Sequence, residues 1–297
     1  MRHYLSPRNI RTDYNGYLEF VRLYHNLKVY ENIDIVIDFS NVKWFEANLC
    51  AILGAMEVIL KAKNINVTYE NLSPGINDIL CRNGFIGNYP IFNRDCSTDT
   101  VVTFQRFEPH QDNAFNEYIL KELLSKSDFP KHSELLGKRI SESIFEIFEN
   151  ARTHGKCDYI HTCGQYYPRK TPARLDITIV DIGKTIHKNV NDYLSDQSQF
   201  LSASEAIAWA VEYGNTTKIN RTGGLGLSLI LEFIQKNDGV IQIISSNGMW
   251  EYKKKNIKVH LLPYPFPGTI VNIEFNFADS NYYKLKSEDN LTINDIF

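Results

Sequence analysis

Residues 140–155 read I-S-E-S-I-F-E-I-F-E-N-A-R-T-H-G. Ile140, Ile144, Ile147, Phe148 and Ala151 recur at helical spacing and form one apolar stripe. Glu146 and Asn150 are four residues apart, so they stack one above the other beside that stripe. A carboxylate and a carboxamide one turn apart can hold a water and a hard cation together. The water can lose a proton to Glu146 while the cation takes an oxygen from Asn150. An isolated E-x-x-x-N pair is more often a solvated helix face. The rest of the chain gives this pair its context.

The 297 residues are enough for two domains of ordinary size, and 43% hydrophobic with 12% aromatic content supports packed cores. Net charge is −3 and the longest block of like charge is K-K-K at 253–255. That balance argues against nucleic acid as the main partner, since phosphate neutralisation needs a basic patch. The start M-R-H-Y-L-S-P lacks the apolar core of a signal peptide. With no apolar run of ~18 residues, a soluble cytoplasmic protein without membrane contact is expected. The five cysteines are odd in number and form no C-x-x-C pair, so a disulfide framework is not expected.

In the first hundred residues the pattern predicts a helix over 13–30, a buried strand over 33–39, an apolar helix over 47–62 and a strand over 65–69. Ser73 with Pro74 should open a further helix reaching about Cys81, punctuated by Asn83-Gly84. Alternating strands and helices imply an α/β layer. The run I-V-I-D-F-S-N-V-K-W-F-E-A-N-L, then K-N-I-N-V-T-Y-E-N, then C-R-N-G-F resembles a STAS domain, the fold of anti-sigma-factor antagonists. The likeness covers about residues 10–90. Those antagonists carry D-S-S-G, with a phosphorylated serine, where this chain has Glu46-Ala47-Asn48. The resemblance therefore implies a docking or dimerisation domain without that phospho-switch. The polar stretch 96–111, interrupted by Pro109, puts a boundary near residue 105. Domains are expected at 1–105 and 106–277, followed by a polar tail at 278–297 whose final I-F could serve as a docking peptide.

In the second domain a helix over 114–124 precedes the organising helix, which should start near Ser133. Strands follow at 159–167 and 175–180, the second delivering Asp181-Ile182-Gly183-Lys184-Thr185-Ile186. A glycine two residues after a strand-ending aspartate lets the backbone approach a flat ligand. The carboxylate can accept a hydrogen bond from an exocyclic amine such as adenine N6. A polar, flexible stretch is expected over 187–222, with a helix at 204–211 and Gly214-Asn215-Thr216-Thr217-Lys218. Lys218 could reach a γ-phosphate, although loop lysines are more often solvated. The run Thr222-Gly223-Gly224-Leu225-Gly226-Leu227 opens an apolar helix to Ile234. Glycines at a helix start leave N–H groups free to cradle phosphate.

An E-x-x-x-N helix, a strand-D-x-G turn and a G-G-L-G-L helix start, in that order, resemble the GHKL ATPase superfamily. The likeness covers roughly residues 110–277 and implies a Bergerat-type α/β sandwich, with helices packed on one mixed sheet, that binds ATP and Mg. It makes Glu146 the general base, Asn150 the Mg ligand, Asp181 the adenine reader and Gly183 its turn. Gly224, Leu225 and Gly226 would wrap the triphosphate, with Ile186, Lys218, Gly223 and Leu227 completing the nucleotide contacts. Thr269, in P-G-T-I-V-N-I-E-F, matches the strand threonine that assists the aspartate. Two departures concern the glycines: Thr185 replaces the second glycine of D-x-G-x-G, and the phosphate loop begins with Thr222.

The resemblance implies an ATP-driven conformational switch with slow hydrolysis, acting on a protein partner through the STAS-like domain. An anti-sigma-type protein serine kinase and a non-hydrolysing nucleotide sensor stay open, as does a homodimer. A histidine kinase fits poorly, because no helical hairpin with a phosphoacceptor histidine precedes the N-terminal domain. His154, Cys157, His161 and Cys163 fall within ten residues, but their spacing does not imply a zinc site. His154 is expected near the phosphates or simply ending the helix. Met56 and Trp44 are expected in the core.

Overall fold

The β-branched run Ile35-Val36-Ile37 lies at the centre of a small parallel sheet. Its strands are β1 (Arg2–Tyr4), β3 (Asp34–Asp38) and β5 (Asn66–Glu70), in the order β1-β3-β5. The short β2 (Asn9–Ile10) and β4 (Trp44–Phe45) pair separately. The computed structural model describes residues 1–87, 100–195, 198–215, 217 and 226–290. Helix α1 (Tyr14–Leu27) is capped by Asp13, whose carboxylate accepts from the Gly16 N–H at 3.0 Å. Helix α2 (Cys50–Lys61) follows a single 3-10 turn at Ala47–Leu49. Helix α3 (Pro74–Arg82) has Pro74 in its first turn, but Ser73 at its N-cap makes no side-chain capping bond.

The second sheet comprises β6 (Val101–Phe107), β7 (Ile160–Tyr167), β8 (Arg174–Ile182), β9 (Val240–Lys253) and β10 (Asn256–Asn276), in the order β6-β7-β8-β10-β9. A mixed sheet was expected, yet every one of these pairings is antiparallel. The connections explain two of the four: β7 to β8 and β9 to β10 are joined by short turns, which permit only antiparallel pairing. Strand β6 runs across the boundary expected at residue 105 and belongs to this sheet. On one face lie α4 (Asp112–Ile119), extended by a π turn over Leu120–Leu124, with α5 (Glu134–Asn150) and α8 (Gly226–Lys236). Ser133 caps α5 by accepting from Leu136 N–H at 3.1 Å.

The stretch expected to be flexible instead contains α6 (Ile186–Leu194) before α7 (Ala203–Val211). The Thr185 hydroxyl caps α6 from Lys188 N–H at 3.2 Å, and Val190 and Leu194 bury themselves against Ala206. Ser202 and Glu205 form a capping box that starts α7. The tail is partly clasped onto the start of α5. Tyr283 exchanges backbone bonds with Lys131 and Ser133, and the Glu288 carboxylate accepts from Ser133 Oγ at 2.8 Å. The final residues 291–297 lie outside the described residues. Among the described residues no helix is long and apolar enough to cross a membrane.

Both faces of the antiparallel sheet are covered. Leu175, Ile177 and Ile179 of β8, with Val271, Ile273 and Phe275 of β10, pack under the helices α5 and α8. The alternate residues turn to the opposite face, where α1 contacts β10 and α2 contacts β7 and β8. Helix α2 also contacts β5, so it is buried on two sides. Its composition, apolar all round with Cys50 through Met56 buried, suits that position. Met56 is core as expected, whereas Trp44 is 38% exposed. Trp44 sits at the rim against Tyr167, with Lys170 Nζ 5.0 Å from its ring centre.

A polar network joins the two units across that face. Arg174 of β8 donates to Glu46 at 2.8 Å and pairs with Glu274 at 2.9 Å and Asp176 at 3.1 Å. Asn48 donates to Thr178 Oγ1 at 2.9 Å and Asn272 Oδ1 at 3.2 Å, and Tyr17 Oη donates to Gln242 at 2.8 Å. Burial, then the neighbouring Glu274, pushes the Asp176 carboxyl well up, and burial raises Glu274 as well. Arg174 is the cation that holds Glu46, Asp176 and Glu274 together. Replacing it with alanine (Arg174→Ala) is expected to cost ~3–5 kcal/mol at pH 7, the range for breaking a buried pair. The loss should shrink at pH 5, where the orphaned carboxylates can take protons. Urea unfolding at both pH values measures it, and an equal loss at the two would contradict the account.

Candidate functional site

The pair at Glu146 and Asn150 lies on one side of α5, half-buried, at the wall of a cavity. Ile147 and Ala151 sit beside them, and Ile179 and Val271 supply an apolar floor from the sheet. Past Asn150 the helix widens into a π turn over Ala151–Gly155 and ends at Lys156, whose φ of 51° is left-handed. His154 falls one further turn along the same side and lines the cavity too.

Asp181 closes the end of β8 and is buried, with its Oδ1 lacking any hydrogen-bond partner. Burial pushes its carboxyl up to about 7. Two glycines make room here. A Cβ on Gly155 would stand 3.0 Å from Asp181 Oδ1, and a Cβ on Gly183 would stand 2.2 Å from Gly155 O. The close approach at Gly183 is thus to the end of α5, and Lys184 N–H donates to the same Gly155 carbonyl at 2.7 Å. Across the sheet Thr269 stands in register with Asp181 on one side and Ser245 on the other. Its Oγ1 lies 3.1 Å from Ser245 Oγ, which accepts from Ile186 N–H at 2.9 Å.

Glu146, Asn150, Asp181, Ile186, Leu227 and Thr269 therefore converge on one cavity. Gly183 forms the turn beside it without lining it, and Gly226 opens α8. Lys218, Gly223, Gly224 and Leu225 lie outside the described residues. The sequence reading missed Lys184, Asn189, Trp209, Asn215 and Thr217, which also line the cavity. Asn189 Nδ2 donates to the carbonyls of His154 (3.1 Å) and Lys184 (3.3 Å), tying α6 to the end of α5. Thr217 Oγ1 lies 3.1 Å from His154 Nδ1. The four-residue step from Asn150 to His154 was a signal for the histidine. Nothing local marks Trp209, which reaches the cavity only because α7 packs where it does.

The His/Cys cluster divides between the two faces of the sheet. Cys157 faces the helices and donates to Ala151 O at 3.4 Å, whereas Cys163 faces the N-terminal unit and donates to Ala47 O at 3.2 Å. His161 packs against Phe104, and burial pushes its imidazole down to about 4. A scan against protein-family models returned no match, and a search of curated proteins returned none either.

Asp181 gives a test that needs no ligand. A folded-state value of about 7 against an ordinary 3.8 means that folding favours the protonated acid. Its stabilising contribution is complete below pH ~4 and is lost as the pH rises to about 7, by up to roughly 4 kcal/mol. Asp181→Asn should remove that slope, so the variant gains on the parent between pH 5 and pH 8. Thermal unfolding across this range measures it; parallel curves would contradict the raised value.

Proposed function

We propose that the cavity between α5, the end of β8 and the α6–α7 pair binds Mg-ATP, as in a Bergerat-type GHKL domain, and that the chain is an ATP-driven conformational switch with slow hydrolysis. The observation that carries this reading is the convergence of Glu146, Asn150 and Thr269 on a cavity with the buried, unpartnered Oδ1 of Asp181. A buried acceptor without a donor is costly unless a ligand supplies one. An exocyclic amine such as adenine N6 fits that need, and accepting its hydrogen bond favours the ionised carboxylate. Nucleotide binding near pH 7 should therefore release a proton.

The apolar floor of Ile179 and Val271 suits the face of a flat base. On the α5 wall the Asn150 amide oxygen is a hard donor suited to magnesium. Magnesium, when bound, offsets the charge of the phosphates. Glu146, one turn earlier, can take the proton of an attacking water. The wall formed by α6 and α7, with Trp209 and Thr217, sits where closure over the ligand would exclude solvent. The three-stranded parallel sheet with α1 to α3 supports the STAS-like reading of the N-terminal unit. Its Glu46-Ala47-Asn48 loop is buried against the second sheet, which supports a structural rather than phosphoacceptor role there.

Mg-ATP is expected to raise the melting temperature of the full chain. Asp181→Asn should weaken adenine nucleotides by ~1–3 kcal/mol, because an amide can present a donor to the amine. Calorimetry in two buffers of different ionisation enthalpy should report proton release for the parent and none for the variant. Absence of any nucleotide-dependent stabilisation would overturn the assignment.

Glu146→Gln keeps size and hydrogen bonding but removes the base. Phosphate release from labelled ATP should fall ~10²-fold or more, with binding retained. Asn150→Ala should lose magnesium-dependent affinity as well as rate. Unchanged turnover in Glu146→Gln would remove the hydrolytic reading. Label transferred to a protein instead of released as phosphate would make the chain a kinase.

A further inference from the structure

Strand β10 outruns its neighbour. Residues 268–276 pair with β8, but residues 256–261 pair only with β9, from Asn256↔Lys253 to Leu261↔Gly248. The other edge of this arm has no strand beside it among the described residues. All six of its residues are exposed, and Ile257, Val259 and Leu261 are 59%, 54% and 59% accessible. Spaced two apart, those three form one apolar row on one face. Lys258 and His260 lie on the other face, where His260 meets the Tyr14 ring and Tyr14 Oη donates to Leu261 O at 3.1 Å. An open, apolar edge strand is an aggregation hazard unless something uses or protects it.

The charge around the edge indicates what uses it. The turn at the tip is Lys254-Lys255, with φ of 51° and 61°. A two-residue turn of this kind ordinarily takes Asn-Gly, so two lysines there keep charge in a strained backbone. Lys254, Lys255 and Lys258 form no ion pair among the described residues. Two carboxylates lie nearby, Asp13 capping α1 and Glu251, which stands opposite Lys258 in register and accepts from Gln242 Nε2 at 2.7 Å, so Lys254, Lys255 and Lys258 leave this edge net positive.

We propose that this edge docks an extended segment of a protein partner, with apolar residues at alternate positions and Asp or Glu between them. The added strand would pair along 256–261, its apolar side continuing the Ile257–Val259–Leu261 row and its acids facing Lys258 and the tip lysines. A second copy of this chain fits poorly. Antiparallel self-pairing centred on Lys258 sets lysine against lysine, and pairing centred on Val259 sets Lys258 against His260, so neither register brings a carboxylate to Lys258. A membrane also fits poorly, because the tip is its most polar part and the apolar row lies behind it.

The test uses the full chain and a fluorescent (Val-Glu)5 peptide, with (Val-Lys)5 as control, read by anisotropy. The Val-Glu peptide should bind saturably below ~1 mM, a weak but specific range. Val259→Asp should lose at least tenfold in affinity. Lys258→Glu should lose as much and take the Val-Lys peptide instead. Both variants should keep the parent's Mg-ATP-induced rise in melting temperature, which separates this surface from the nucleotide reading. Absence of saturable binding, or equal binding by Lys258→Glu, overturns the proposal. So does a concentration-dependent dimer in sedimentation that Val259→Asp abolishes. Capture by phosphatidylserine vesicles in place of the peptide overturns it as well.

Discussion

The antiparallel pairing of β8 with β10 is the constraint on which the rest depends. It sets Asp181 opposite Thr269 at one end and Arg174 opposite Asn276 at the other. Because side chains alternate, the same two strands serve two interiors. Leu175, Ile177 and Ile179 meet the helices, while Asp176, Thr178 and Val180 meet the N-terminal unit. A slip of one residue would exchange these sets, driving Asp176 and Arg174 under α5 and removing Asp181 from the cavity. Register is thereby specified by both faces at once.

The two interiors handle polar groups differently. On the N-terminal side the buried charges are paired, Arg174 serving three carboxylates and Asn48 linking Thr178 and Asn272, while Asn48 Oδ1, Tyr167 Oη and both ring nitrogens of His161 have no hydrogen-bond partner. Such networks add little net stability, because desolvation offsets attraction, but they penalise any other docking of the two units. At the cavity Asp181 Oδ1 has no partner, and Gly155 keeps the space before it clear. Among the described residues Asp181 is thus a buried carboxyl without an ion-pair partner, unlike Asp176, which lies 3.1 Å from Arg174 Nε.

The elements over the cavity pack differently from those beneath it. Val190, Leu194 and Ala206 form a small cluster between α6 and α7, while Ile207 and Val211 anchor α7 in the large core. The N-terminal unit is held by a large buried interface, with its 46–48 loop turned inward. The outer edge of β10 over 256–261 is a surface left open beside that interface, with no strand paired to it among the described residues.

Short-range pattern alone determined much of this protein. The Ile140–Ala151 stripe, the Ser133 start, the D-x-G turn after β8 and the apolar character of α2 all depend on residues within two turns of one another. Glu146 and Asn150 were legible for the same reason: helical geometry fixes their neighbourhood before any tertiary contact forms. Only the tertiary structure decided which face each strand residue serves. Asp176, Thr178, Asn272 and Glu274 alternate with apolar residues, and polar alternation looks the same whether water or another domain lies opposite. The position of α6 was hidden because Val190 and Leu194 find their partner Ala206 on a different helix. Trp209 and Thr217 reach the cavity, and Trp44 stays at the rim, through contacts between segments far apart in sequence, which no local period records.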